Sequence, residues 1–455
     1  MNTAEQTSTD LRALVQAAGS EAAGALATPG WLTPVRERGA RDVLTMPLPV
    51  RKDEAWRYTP VGFLERQSYR APQVAAPGIL VIADIQHLLR PDSVGPRLVF
   101  VNGYHAPALS AIGTLPDGVT LTTITQAPGQ LPVGLRQQVE RVAEHRHVFS
   151  ALNSALVSDG ALIHLAAGTI LDSPIEILHI AVGTDEPGIC HPRHAIVVDE
   201  GAQARVVERY CSVGDPVYFT NAVVDVHVAA GAGLVHERLQ TESVGAQHLT
   251  ELRVTLSENS FYRHVAAALG GEWSRTNLQV VFAGEGAEAD LNGLMLAGDK
   301  QLNDVHLDIR HDVPRCTSRE AFKGILDGRG RIVFDGRILV ARDAQKTDAQ
   351  LSNDNLMLSR SAEVDTKPQL EIYADDVKCS HGTTVGELDK DSLFYLRSRG
   401  IPESQAMRML CQGFAGDVLD RLADQSLREI AQELLDKRLS TSGAALVEGE
   451  SGDAS

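Results

Sequence analysis

Turn glycines recur at near-even intervals through the middle of this chain, and that recurrence limits the fold more than any other feature. Gly168 sits in Ala166-Ala-Gly-Thr-Ile-Leu171, Gly201 in Glu200-Gly-Ala-Gln-Ala-Arg-Val206 and Gly231 in Ala229-Ala-Gly-Ala-Gly-Leu-Val235. Gly284–Ala287, Gly328–Arg331 and Ser359–Ala362 follow. After each turn comes an apolar/polar alternation: Ala204 and Val206, Leu234 and Val235, Ala289 and Leu291, Ile332 and Phe334, then Val364. A unit of this size made of strand and turn cannot bury its apolar face alone, so successive units stack. From about 161 to 385 the pattern predicts a parallel β-helix or a similar stacked-strand solenoid. A β-sandwich, whose short strands recur roughly every 8–12 residues, is the alternative.

The flanks have a different texture. Asp10 to Leu26 predicts an amphipathic helix that Thr28-Pro29-Gly30 breaks. Gly78–Ile82 and Leu98–Val101 predict strands, and Leu131 to Leu156 a return to helix. Beyond the solenoid, Leu393, Phe394 and Leu396 fall in a helix that stops at Gly400, and Pro402 opens the next. Met407, Leu410, Cys411, Phe414, Val418 and Leu422 form an apolar stripe at helical spacing, and Ser426–Glu429 matches a capping box. The expected divisions are an N-terminal helical and mixed region (1–155), a β-helix core (156–388), a C-terminal helical domain (389–440) and a disordered tail (441–455).

Charge and motifs exclude several function classes. The net charge of −17 disfavours nucleic acid, which needs clustered Lys and Arg, and equally an anionic membrane surface. No apolar run reaches the ~20 residues that span a bilayer. The N-terminus lacks the basic and apolar regions of a signal peptide, so the cytoplasm is the expected compartment. No GxxxxGK[ST] loop is present, hence no ATP site of that kind in this chain, and no HExxH, GxSxG or paired-carboxylate pattern stands out. The five cysteines, Cys190, Cys211, Cys316, Cys379 and Cys411, are scattered and none forms CxxC. That is neither a disulfide framework nor a closed metal site.

The segment richest in chemistry is Asp375-Asp-Val-Lys-Cys-Ser-His-Gly382, which follows the strand-like Pro368–Tyr373. On a strand, residues two apart share a face, so Cys379 and His381 project side by side. Thiolate and imidazole suit soft and borderline metals such as iron. Two ligands cannot close a site, so a metal reading makes this a half-site completed by a partner chain. Against it stands the plain reading of Cys379 as a small buried hydrophobe. Glu371, Asp375 and Asp376 either assist a metal or form a solvated rim, and Cys316 is a second, weaker thiol candidate. His191 and His194 are expected in a loop. His164, His179, His227, His236, His264, His306 and His311 are expected as surface or packing residues on strands.

These residues also carry a resemblance. Asp376-Val-Lys-Cys-Ser-His-Gly-Thr-Thr-Val-Gly386, Leu393-Phe-Tyr-Leu-Arg-Ser-Arg-Gly-Ile-Pro402, Gly413-Phe-Ala415 and the upstream Lys52-Asp-Glu-Ala-Trp-Arg-Tyr-Thr59 resemble the SufB/SufD family of the SUF iron–sulfur cluster assembly machine. Asn353–Leu358 and Lys367–Leu370 fit as well, and the resemblance covers about residues 45 to 425. Where SufB usually reads Val-Glu-His-Glu-Ala-Thr, this chain reads Val-Lys-Cys-Ser-His-Gly, which favours SufD. The resemblance implies a right-handed parallel β-helix with an N-terminal α/β region and a C-terminal helical domain, in a scaffold rather than a self-sufficient enzyme. It implies a complex with SufB and the ATPase SufC, with Phe394, Met407, Leu410 and Phe414 on the helices that dock SufC. A transient iron–sulfur cluster would be shared with SufB at the β-helix end, His381 serving as a ligand and Cys379 as assisting thiol or ligand. The alternatives are a structural adaptor with no direct metal role and a β-helix transferase or lyase; association as a homodimer stays open for when partners are absent.

Overall fold

The structure, a computed structural model, describes residues 29–70, 79–90, 95–127, 131–140, 145–184 and 186–450. The helix expected over Asp10–Leu26 lies outside them. Two long sheets form the centre of the molecule, each with ten strands among the described residues. The first stacks Arg97–Val101, Ile175–Val182, Gln203–Val213, Gly233–Thr241, Phe261–Ala268, Glu288–Ala297, Thr317–Leu326, Asp348–Met357 and Lys378–Gly386, with Tyr104–His105 added antiparallel at its start. The second stacks Ala161–Leu165, Arg193–Val198, Tyr218–Val228, Gln247–Leu256, Trp273–Phe282, Leu302–His311, Arg331–Val340 and Glu363–Ile372. Val119–Thr123 is added antiparallel at its start, and Gly188–Cys190 lies beside Tyr218–Thr220. The chain alternates between the sheets, so each pass adds one rung to both. This is a β-solenoid and not a sandwich: the stacked strands pair in parallel, residue for residue, over 8–10 positions.

The corners explain the glycine spacing and also where it fades. Gly168, Gly201, Gly231 and Gly286 occupy one edge with φ of 72°, 66°, 63° and 71°, a region glycine enters without steric cost. The same edge continues through Asn259, Arg315 and Lys346 at φ of 52°, 60° and 65°. Each corner N–H donates to a carbonyl one rung on: Gly168 to Glu200 (2.8 Å), Gly231 to Glu258 (2.8 Å), Arg315 to Gln345 (2.9 Å) and Lys346 to Asp376 (2.7 Å). This ladder holds side-chain-bearing residues in a conformation that costs them roughly 1–2 kcal/mol each. The turns at Gly328 and Ser359 belong to the opposite edge, between first-sheet and second-sheet strands. The glycine series of the sequence therefore changes edge there.

Apolar residues of both inner faces, among them Val206, Leu234, Val254, Val280, Ile309 and Phe334, fill the space between the sheets. The outer face of the second sheet is covered by the N-terminal region, through Trp56, Phe63, Tyr69 and Phe149 on Phe219, Leu249 and Trp273. Arg275 stacks over Trp56 at 3.9 Å, bonds Ala55 O at 2.7 Å and pairs with Asp304 at 2.9 Å; Thr59 bonds the same carboxylate. Truncating Trp56 removes a large buried ring and uncovers this buried ion pair. Trp56→Ala is expected to cost about 3–5 kcal/mol in urea unfolding, with the solenoid's far-UV strand signal retained below the transition.

Elsewhere on the flanks, Leu98–Val101 is a strand as expected and Leu131–Leu156 carries the helices Val133–Glu140 and Val148–Leu156. Gly78 lies outside the described residues, and the rest of the run expected as a strand, Ile79–Ile82, is not one. Ile82–Ile85 is helical, with Asp84 accepting from the N–H of Val81 at 2.8 Å. Local capping decided a short apolar run whose length alone fits either state.

The first sheet's outer face is covered by the helices Glu403–Leu419 and Gln425–Glu450. Cys411, Ala415, Val418, Leu419, Leu427, Ala431 and Leu435 pack on Val207, Leu239, Val265, Leu294, Leu296 and Ile325. The long helix is capped by Asp424 rather than Ser426: Asp424 Oδ1 accepts from Leu427 N–H at 2.9 Å. Arg90 anchors that carboxylate from the other side, a tertiary contact no local pattern reveals. The helix runs to Glu450, past residue 440 where the sequence pattern places the start of a tail; 451–455 lie outside the described residues.

Candidate functional site at the open end of the solenoid

Lys378–Gly386 is the last strand of the first sheet and Glu363–Ile372 the last of the second. Each pairs on one side only, leaving a row of unsatisfied backbone groups on the other. Nearly every residue of Lys378–Gly386 is exposed, and Ile372, Tyr373 and Val385 add exposed apolar surface beside it.

Cys379 and His381 both lie on this strand. Cys379 is in register with Ala349 and His381 with Leu351, and both of those face the buried core. The pair therefore shares the inward phase of the strand, as the spacing requires. Where lower rungs are roofed by the next, these two stand at the uncovered mouth. Cys379 is half-buried and packs against the end of the core, while His381 is exposed. Burial holds the Cys379 thiol above its ordinary value, with the charges of Asp348 and Glu320 adding to this. The thiol is thus protonated at neutral pH until a cation or a basic partner approaches it.

Two of the three acidic rim residues are already engaged, and Asp375 is exposed beside them. Glu371 makes a two-pronged pair with Arg337 at 2.8 and 3.0 Å, and Asp376 pairs with Lys346. Cys316 is buried away from the mouth, with contacts to Gly284 O (3.4 Å) and Pro314 O (3.5 Å), and burial raises its thiol. Cys190, Cys211 and Cys411 are pushed up to about 12 by burial. Cys379 and Cys190 are the half-buried cysteines, and of the two Cys379 stands at the open end of the solenoid.

The residues expected on docking helices separate. The helix Lys390–Ser398, capped by Asp389, buries none of its residues; Phe394 is 73% exposed and Tyr395 56%. Met407 and Leu410 are half-buried on the next helix. Leu410 closes a shallow hollow with Tyr395 and Leu396. Phe414 turns inward against the first sheet's outer face, with Lys323 Nζ 4.4 Å above its ring.

His194 is not in a loop: it lies on Arg193–Val198, and both His191 and His194 are buried. His179, His236, His264 and His311 are packing residues inside or beside the core. Sequence reasoning missed the network that His236 belongs to. Glu208 holds His236 Nε2 at 3.0 Å and Arg238 at 3.6 Å; Arg238 donates to His248 Nε2 at 2.6 Å; His248 Nδ1 meets Glu242 at 2.7 Å; Tyr218 donates to Glu242 at 2.8 Å. All are nearly unexposed. The available signal was polar residues in the inward phase of Gln203–Val213, Gly233–Thr241 and Gln247–Leu256. Among the described residues no group of three or more His, Cys, Asp and Glu is arranged to hold a metal, and no helix is long and apolar enough to cross a membrane.

Comparison with known proteins agrees with this architecture. Residues 180–414 match the SufBD core domain of SUF-system FeS cluster assembly, and residues 25–177 match the SufBD N-terminal region. The chain is 35% identical to the iron–sulfur cluster assembly protein SufD of Escherichia coli, over 90% of this chain and 93% of that protein. It is 33% identical to an iron–sulfur cluster assembly SufBD family protein of Synechocystis, over 86% and 88% of the two chains. It is 28% identical to the chloroplastic protein ABCI7 of Arabidopsis thaliana, over 88% and 84%. A solenoid with covered outer faces, one open end and matches spanning both regions leads to one conclusion: the chain belongs to the SufB/SufD family of iron–sulfur cluster assembly proteins.

Proposed function

We propose that this chain is a scaffold subunit that pairs through its open solenoid end with a SufB-type partner and contributes His381 and Cys379 to a nascent iron–sulfur cluster at that interface. The observation that carries this reading is the last strand, open along its outer edge, with both side chains in its inward phase. An edge strand is a ready template for a partner's strand, and the partner would supply the ligands that two side chains lack. Thiolate and imidazole are a donor set that iron in clusters accepts. The cluster is cargo here rather than a resident cofactor. The exposed helix Lys390–Ser398, with Phe394, Tyr395 and the hollow at Leu410, is the surface we assign to a SufC ATPase. Its tether to the solenoid through Glu403–Leu419 lets ATP-driven motion reach the open end. The chain works in the cytoplasm and turns over no substrate alone.

The test is anaerobic co-expression of the tagged chain with its SufB and SufC partners, followed by iron, sulfide and absorbance measurements. A three-protein complex is expected, with cluster content several-fold lower for His381→Ala. Equal loading by both forms would remove His381 from the site.

A purely structural adaptor is the second reading. It is favoured by a rim whose carboxylates Glu371 and Asp376 are already paired with Arg337 and Lys346, and by the burial that keeps Cys379 a thiol. It requires that Cys379→Ala and His381→Ala both be silent while deletion of 389–440 abolishes assembly.

A further inference from the structure

Glu320 is a buried carboxyl that the scaffold role leaves unexplained. It is 2% exposed, faces the solenoid interior, and lies in register between Leu291 and Leu351 of the core. Neither carboxyl oxygen has a partner at full hydrogen-bonding geometry, and its neighbours Ser318 and its own backbone N–H offset only part of its burial. Ser318, two residues earlier on the same face, is engaged by His311 Nε2 at 3.0 Å. An orphaned polar group in a core calls for a specific cause, and a residue held against stability in this way marks function.

Its position supplies the cause. Leu351, directly above Glu320, is in register with His381; Ala349, directly above Ser318, is in register with Cys379. Glu320 thus lies two rungs beneath His381, roughly 10 Å at the usual strand spacing, with the rung of Leu351 between the two levels. The two levels already sense each other, because the charge of Glu320 is one cause of the raised Cys379 thiol. Burial pushes the Glu320 carboxyl up to about 8; Ser318 and Arg319 offset a little of this and Asp290 adds to it. The other charges around it are spoken for. Asp290 below pairs with Arg263 and Arg421, Arg319 pairs with Asp348 above, and burial lowers His311 to about 3, so it is neutral.

We propose that Glu320 is the proton-holding floor of the open-end site: it carries a proton while the site is empty and ionises when a divalent cation is held at Cys379 and His381. The proton passes to water and the carboxylate left behind places a negative charge beneath the metal. This rests on the reading of Cys379 and His381 given above. A dication about 10 Å away, acting through protein of effective dielectric ~20, lowers a carboxyl by roughly two pH units. That is enough to carry Glu320 from one side of neutrality to the other.

The test is a Co(II) titration, at pH 7, of the full chain in its cluster-free complex with the SufB-type partner, following cobalt absorbance and, in weak buffer with an indicator, the protons released. Wild type, Glu320→Gln and the Cys379→Ala/His381→Ala double variant are compared, with Glu320→Leu as a second non-titrating form should Glu320→Gln fail to fold. The non-titrating forms are expected to release close to one proton fewer per cobalt at pH 7 and an equal number at pH 9. By linkage they bind cobalt up to ~100-fold more weakly above pH 8 and equally well at pH 5. Equal proton release by wild type and Glu320→Gln at pH 7, with cobalt bound at Cys379 and His381, overturns the role of Glu320 and leaves the site reading intact. Cobalt binding that is no different in the double variant overturns both.

Discussion

Lowering the pH from 7.5 to 5 is expected to cut the stability of the isolated chain by on the order of 4 kcal/mol, seen as a falling urea midpoint. The cause is a set of histidines sealed in or beside the core. Burial pushes His191, His264 and His311 down to about 3, and His194 down to about 4 with Glu208 opposing the fall. In the unfolded chain they titrate near 6.5. Between these values the unfolded state binds more protons than the folded one, so stability rises with pH there and falls as pH drops below about 6.5. At pH 5 each such histidine costs roughly 2 kcal/mol. Glu320 works the other way. Its raised carboxyl costs stability as pH climbs from the ordinary carboxylate range towards 8, so acidification restores part of what the histidines lose. The remainder is still a large share of the ~5–15 kcal/mol that holds a typical domain together. Equilibrium urea unfolding at the two pH values, by tryptophan fluorescence and far-UV circular dichroism, measures it. A midpoint that stays level or rises on acidification would refute the account. Replacing His264 with Gln should remove about one proton from the linkage slope.

The second large effect belongs to Arg238. Its guanidinium reaches Thr276 (3.1 Å), His248 (2.6 Å) and Thr250 (2.6 Å), approaches Glu208 at 3.6 Å and lies 5.1 Å over the Tyr210 ring. Glu208 is fully buried, and its carboxyl is held well below the usual range despite that burial, by His236 first and by Arg238 as well. Arg238→Met keeps the stem volume and removes the charge, leaving a buried carboxylate short of a partner and two threonine hydroxyls and an imidazole short of a donor. Breaking a buried pair of this kind costs about 3–5 kcal/mol. Urea unfolding at pH 7.5 gives the value. The exposed pair Arg66–Glu272 at 3.0 Å is the comparison: Arg66→Ala should change stability by no more than ~0.5 kcal/mol. Similar losses from the two variants would show that the interior network is not what holds the middle rungs.

These two effects bear on how much the sequence disclosed. The solenoid was legible because its period is a local property, a turn and an inward–outward alternation repeated rung after rung. Cys379 and His381 were legible as a pair for the same reason, since spacing on a strand fixes which residues share a face. The glycine signal faded at Asn259, Arg315 and Lys346, whose left-handed backbone is held by bonds to a neighbouring rung rather than by their own preference. The cap at Asp424 was obscured because Arg90, far away along the chain, completes it.

The sequence by itself determined the repeat, the strand that carries Cys379 and His381, the helical ends and the family. Tertiary structure decided which residues stack above which. It put Glu320 two rungs beneath His381, gathered Glu208, Arg238, His248 and Glu242 from separate strands into one interior network, and left one end of the solenoid unpaired. The reason is physical. Periodicity is written along the chain, where neighbours are covalently fixed, whereas register between rungs distant in sequence is set by the packing of the whole stack.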